Sequence, residues 1–64
     1  MAENCVRELR RKAGLTQSGL AERAGVRRSV ITRIDTNPRA TVPLDVAVKV
    51  AHVLSVTPEE LLAV

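Results

Sequence analysis

Only two residues, Val26 and Arg27, separate Gly25 from the apolar series Val30, Ile31 and Ile34. On the other side of Gly25, Thr16 stands where a helix cap is wanted, Gln17 follows in a first turn, and Leu20, Ala21 and Ala24 recur at helical steps. A Ser, Thr, Asp or Asn before the first periodic residue satisfies free N–H groups, and a Gly after the last supplies a left-handed stop. The pattern therefore predicts one helix over about 17–24 and another from about Arg28 to Asp35. The second of these must begin almost at once after the first.

Two short helices joined by a tight turn that opens with Gly form a helix-turn-helix, here over about 17–35. The rest of the chain reads in the same way. Asn4 is placed to cap a helix over 5–13, whose apolar positions Val6, Leu9 and Ala13 precede Gly14. Thr36-Asn37-Pro38 ends the third helix, because the residue before Pro is driven out of the α region and Asn tolerates a left-handed cap. After a loop, Pro43 suits the first position of a fourth helix running to about Leu54, with Leu44, Ala47, Val50, Ala51 and Leu54 inward and Asp45, Lys49 and His52 as a polar stripe. Thr57-Pro58-Glu59-Glu60 is a capping box that opens a fifth, carrying Leu61 and Leu62. The expected fold is all-α, five helices in one domain over 1–64. A chain of 64 residues buries only about 60% of its unfolded surface, so little apolar area is to spare.

Charge is divided unevenly. Residues 1–40 hold nine Arg/Lys against four Asp/Glu and residues 41–64 one against three, so +5 and −2 make up the net +3. A basic half on so small a domain suits a polyanion. The chain has no Phe, Tyr or Trp; binders of single strands usually stack bases on such rings, so a duplex is the favoured nucleic acid. Cys5 is the sole cysteine and His52 the sole histidine. One of each cannot supply a four-ligand zinc site, and neither has a partner at catalytic spacing. Cys5 reads as a small apolar residue of the first helix and His52 as a surface residue. No nucleophile–base pair or phosphate loop is present, so no enzyme, cofactor, metal or small-molecule ligand is expected. The charged N-terminus lacks the apolar core of a secretion signal and no run is long enough to span a bilayer, which makes the cytoplasm the expected location.

The series Gly14-Leu15-Thr16-Gln17, Leu20-Ala21, Ala24-Gly25-Val26, Ile31, Arg33-Ile34-Asp35, and then Leu44, Ala51, Leu54, Val56 and Glu60-Leu61-Leu62, resembles the Cro and lambda-repressor-like (Xre) domains over about residues 5–62. The resemblance implies a compact five-helix, lambda-repressor-like fold. It also implies that the second and third helices bind double-stranded DNA, as a two-fold homodimer on a pseudo-palindromic operator.

An α-helix fits the major groove, where base edges display distinct donors and acceptors. The third helix is then the reading head. Arg28, Ser29, Thr32 and Arg33 are its side chains not committed to the core by Ile31 and Ile34, and they are the candidates for base contact. Arg28 and Arg33 suit O6 and N7 of guanine, whereas surface or phosphate roles are the plainer alternatives; Val30 either meets a thymine methyl or is an exposed or partly core residue. The resemblance assigns phosphate contacts to Gln17 at the start of the second helix and to Asn37 and Arg39 beyond the third. Arg27, where relatives often carry a capping Ser or Thr, gives up a cap but brings a charge that suits a phosphate. Arg10 and Asp35 resemble a pair that bridges the first and third helices in some members, contributing about 0–1 kcal/mol if exposed.

Gly19 departs from the acidic residue that often completes the cap of the second helix, at about 0.5–1 kcal/mol relative to Ala. Val46 and Val53 widen the apolar arc of the fourth helix and, with Val56, Leu62 and Val64, form the expected dimer face; packing within the chain is the alternative. Three functions fit: a transcriptional repressor or regulator, the antitoxin of a toxin–antitoxin pair that also binds a toxin protein, or a module for another protein partner such as a co-regulator.

Overall fold

The structure is a computed structural model that describes residues 3–62. It contains α1 (Val6–Lys12), α2 (Gln17–Ala24), α3 (Arg28–Thr36), α4 (Leu44–Leu54) and α5 (Pro58–Leu62). The five predicted helices are all present and the described residues contain no strand.

Thr16 caps α2 as expected, its Oγ accepting from the Gly19 N–H at 2.9 Å. A Cβ at Gly19 would stand 3.1 Å from that same Oγ, so a larger residue gains helix propensity only by pressing on the cap. At α5 the Thr57 hydroxyl accepts from the Glu60 N–H at 3.1 Å and donates to the Glu60 carboxylate at 3.2 Å. α1 starts one residue later than the sequence suggests. Cys5 occupies the cap position without a side-chain bond, and Asn4 acts from one residue earlier, its Oδ1 accepting from the Val6 N–H at 3.2 Å.

Two other boundaries differ for definite reasons. Asn37 is extended (φ −123°, ψ 95°), not left-handed, because the following Pro38 excludes the αR region and favours extended backbone. Pro43 is also extended (ψ 144°) and precedes α4 rather than forming its first residue. Left-handed closures fall at Gly14 after α1, Gly25 after α2 and Ser55 after α4, with φ of 70°, 70° and 58°. At each, two backbone bonds return into the last turn: Leu15 N–H to Arg10 O at 3.1 Å with Gly14 N–H to Arg11 O at 3.0 Å, Val26 N–H to Ala21 O at 3.1 Å with Gly25 N–H to Glu22 O at 3.3 Å, and Val56 N–H to Ala51 O at 3.0 Å with Ser55 N–H to His52 O at 3.2 Å. This is the Schellman arrangement. Gly adopts it without steric cost; Ser55 does not.

The main helix contacts close a ring in which α1 packs on α3, α3 on α2, α2 on α4, α4 on α5 and α5 on α1. Val6, Leu20, Ile31, Ile34, Val50 and Leu61 fill its centre, with Ala21, Ala24, Ala47 and Ala51 where backbones approach. Without aromatic rings, this interior depends on branched aliphatic chains interlocking at close range. The inward face of α4 is the expected one at Ala47, Val50 and Ala51, with Leu54 half-buried against them, and two positions differ. Leu44, expected inward, is 74% exposed, while Val46, expected on a dimer face, is only 8% exposed and belongs to the core. Val53, Val56 and Leu62 are half-buried against that core, and Val64 lies outside the described residues. Among the described residues, no helix is long and apolar enough to cross a membrane.

Candidate nucleic-acid interface

α3 divides cleanly. Ile31, Ile34 and Asp35 are buried, whereas Arg28, Ser29 and Arg33 are exposed and Thr32 is half-buried. Val30 is partly buried against the core, which favours the interior alternative for that residue. Arg27 occupies the cap position of α3 in extended conformation and makes no side-chain cap bond. The first turn of α3 therefore keeps free N–H groups beside two exposed arginines, an arrangement suited to an anion. Among the described residues, no carboxylate lies within ion-pair reach of Arg27, Arg28 or Arg33. Beyond α3, Asn37 and Arg39 are exposed, and the Asn37 Oδ1 fixes the turn by accepting from the Arg39 N–H at 3.2 Å. The Arg39 guanidinium has only a long 3.7 Å contact with Glu3, both ends solvated. An open groove of about 530 Å³ between α1 and the end of α3 is lined by Arg7, Arg11 and Lys12, interspersed with Glu3, Glu8 and Asp35.

Behind the exposed face lies a polar junction. Arg10 of α1 donates from Nε to Asp35 Oδ1 at 2.7 Å and from Nη2 to Oδ2 at 3.3 Å, while its Nη1 donates to the Leu15 carbonyl at 2.8 Å. The pair is not on the surface: the side chains are 13% and 1% exposed. It belongs to the class in which removing one partner strands a buried charge, rather than to weak surface pairs. Gln17 Nε2 donates to Asp35 Oδ2 at 3.0 Å, and the Thr32 hydroxyl donates to Gln17 Oε1 at 3.0 Å. Burial acts to raise the Asp35 pKa, but the hydrogen bonds from Arg10 and Gln17 and the charges of Arg10 and Arg7 outweigh it and hold the carboxyl below the ordinary carboxylate value.

The sequence matches the Helix-turn-helix family HTH_3 over residues 6–61. The chain belongs to that family. Solved helix-turn-helix structures agree with it at both levels. SinR of Bacillus subtilis, a master regulator of biofilm formation in complex with DNA, is 33% identical at a TM-score of 0.82, with 89% of this chain and 90% of that one covered. The SinR–SinI complex gives 33% identity and a TM-score of 0.83 over 89% of this chain, which spans only 55% of the chain it matches there. The restriction-modification controller protein C.AhdI of Aeromonas hydrophila is 36% identical, with a TM-score of 0.77 and coverage of 88% and 83%. No curated protein matches the sequence. The family is one of DNA-binding transcription regulators, not of enzymes.

Within this helix-turn-helix domain, the structure places Arg28, Ser29 and Arg33 on α3, Arg27 at its N-terminal cap and Asn37 and Arg39 in the turn that follows it. Gln17 differs from its sequence reading in one respect. Its amide is not idle at the start of α2, since both its oxygen and one N–H are bonded internally, leaving the second N–H for an outside acceptor. Sequence reasoning took Arg10–Asp35 as a pair and missed that Gln17 and Thr32 extend it. The signal was the spacing of Thr32 and Asp35, three residues apart and so on one face of α3.

Proposed function

We propose that this chain is a sequence-specific, double-stranded DNA-binding transcription regulator of the cytoplasm, acting as a repressor and as a homodimer on a pseudo-palindromic operator. The observation that carries the reading is the exposed, acid-free set Arg28, Ser29 and Arg33 on a helix whose opposite face is locked into the core. SinR, of the same fold and a third identical, is known in complex with DNA. In the proposed complex α3 lies in the major groove, where Arg28 and Arg33 fork onto guanine and Ser29 bonds a neighbouring base edge. Arg27, Gln17, Asn37 and Arg39 hold the flanking phosphates and set the register.

For the homodimer, the burial of Val46 moves the proposed contact to the exposed pair Leu44 and Val48, one turn apart on the outer side of α4. Asp45 and Lys49 follow them at the same spacing. Two antiparallel copies of α4 related by a two-fold axis place Leu44 on Val48 and Asp45 on Lys49 of the second copy, so the patch complements itself in shape and in charge. A second reading, that a protein partner controls the domain, is supported by the SinR–SinI complex, whose matched chain is longer than this one.

The test is selection from a random-duplex library at two salt concentrations. A two-fold-related motif whose retention falls with salt is expected, and Arg33→Ala should relax particular positions of it. Retention without a motif would defeat the sequence-specific reading. Sedimentation at micromolar concentration tests the dimer: Lys49→Asp should dissociate it and Asp45→Lys with Lys49→Asp should restore it.

A further inference from the structure

The bonds around Gln17 have a fixed direction. Asp35, ionised, can only accept, and it accepts from Arg10 and from Gln17. The amide nitrogen of Gln17 must therefore face Asp35, which forces its oxygen toward Thr32. A hydroxyl has a single proton. Thr32 gives that proton to Gln17 at 3.0 Å, and it cannot also give it to a base. The helix itself holds Thr32 in place, for the Thr36 hydroxyl donates to the Thr32 carbonyl at 2.7 Å, and no buried side-chain polar atom of the described residues is left unpartnered.

We infer that Thr32 is a positioning residue: together with Asp35 it sets the orientation of the Gln17 amide, and base reading by α3 falls to Arg28, Ser29 and Arg33. This rests on the DNA-binding reading above. The amide needs both ends held, because a carboxylate alone leaves rotation about the Nε2–Oδ2 bond free, and the bond to Thr32 on the adjacent helix removes that freedom. The second Gln17 N–H is then aimed without further loss of side-chain freedom on binding. The assignment also separates two consequences that a single contact residue would merge. A change at Thr32 alters how tightly every duplex is held, not which duplex is chosen.

The experiment uses the library selection and then the enriched duplex, with wild type, Thr32→Val, Thr32→Ser, Gln17→Ala, and Gln17→Ala with Thr32→Val. Valine keeps the shape of threonine without its proton. Thr32→Val should return the wild-type motif and weaken binding to all its members alike, by about threefold to tenfold, the usual effect of one hydrogen bond. Thr32→Ser, which keeps the hydroxyl, should bind as wild type. In the Gln17→Ala background, Thr32→Val should have no further effect, since its target is gone. A motif that loses preference at one position in Thr32→Val or Thr32→Ser would overturn the inference and make Thr32 a base reader. So would an undiminished effect of Thr32→Val in the Gln17→Ala background. Absence of any motif with the wild type would instead defeat the sequence-specific reading on which it rests. Far-UV circular dichroism melts of each variant exclude unfolding as the cause.

Discussion

The two sides of the ring are held by different forces. Where α1, α2 and α3 meet, Arg10, Asp35, Gln17 and Thr32 form a chain of directed hydrogen bonds. Where α4 and α5 meet, Val46, Val50, Ala51 and Leu61 are packed with apolar contact alone, and the side-chain bonds there are confined to the Thr57–Glu60 cap. Apolar contact holds an element by area and shape, whereas a hydrogen-bonded ion pair holds it by direction, and only when all its members are present. The side that must present α3 in one orientation carries the directed contacts; the side that only supports it does not.

The contrast can be broken most forcefully at Asp35. Asp35→Ala leaves the Arg10 guanidinium buried without its partner and should cost about 3–5 kcal/mol, read from urea unfolding followed by far-UV circular dichroism, since the chain has no aromatic reporter. Its folded pKa is depressed, so the stability it contributes is fully present above the unfolded value of about 3.9 and is lost as the pH falls through the lower folded value. The gap between wild type and Asp35→Ala should accordingly narrow below about pH 4. Val50→Ala, on the apolar side, should cost about 2 kcal/mol, and that cost should not change with pH. Parallel pH profiles for the two variants would erase the distinction.

Smaller effects sharpen it. α2 has a hydroxyl cap and α3 has Arg27 in its place. Arg27→Ser should raise stability by about 0.5–1 kcal/mol while weakening duplex binding and its salt dependence together, because a cap and a phosphate compete for the same N–H groups. If Arg27→Ser binds as tightly as wild type, Arg27 has no part in the interface. Ser55→Gly should add about 0.5 kcal/mol by relieving the left-handed backbone after α4, with no effect on binding.

The helix-turn-helix was legible because its signals are local: Thr16, Gly25 and the spacing of Leu20, Ile31 and Ile34 define two helices without reference to the rest of the chain. α4 was legible in extent and in its exposed polar stripe, Asp45, Lys49 and His52, but not at the edges of its apolar arc. Leu44, Val46 and Val48 extend the apolar arc beyond Ala47, Val50 and Ala51, and an arc wider than the contact cannot say which of its edges turns inward. Packing against α2 and α5 decides that, burying Val46 and exposing Leu44. Arg28, Ser29 and Arg33 were found by elimination from the core. The bond between Thr32 and Gln17 was not legible, because it depends on how α2 crosses α3.

One backbone feature reaches beyond stability. The Cys5 N–H donates to the Leu61 carbonyl and the Asn4 N–H to the Pro38 carbonyl, each at 2.7 Å, so the path of the chain enters and leaves the ring side by side. Such a path is almost an endless loop. A permuted chain, with residues 3 and 62 joined by a short Gly/Ser linker and a new break cut in the Pro38–Val42 stretch, should retain the same core. If that chain folds, the cyclic order of the helices, rather than the one that comes first, defines the core.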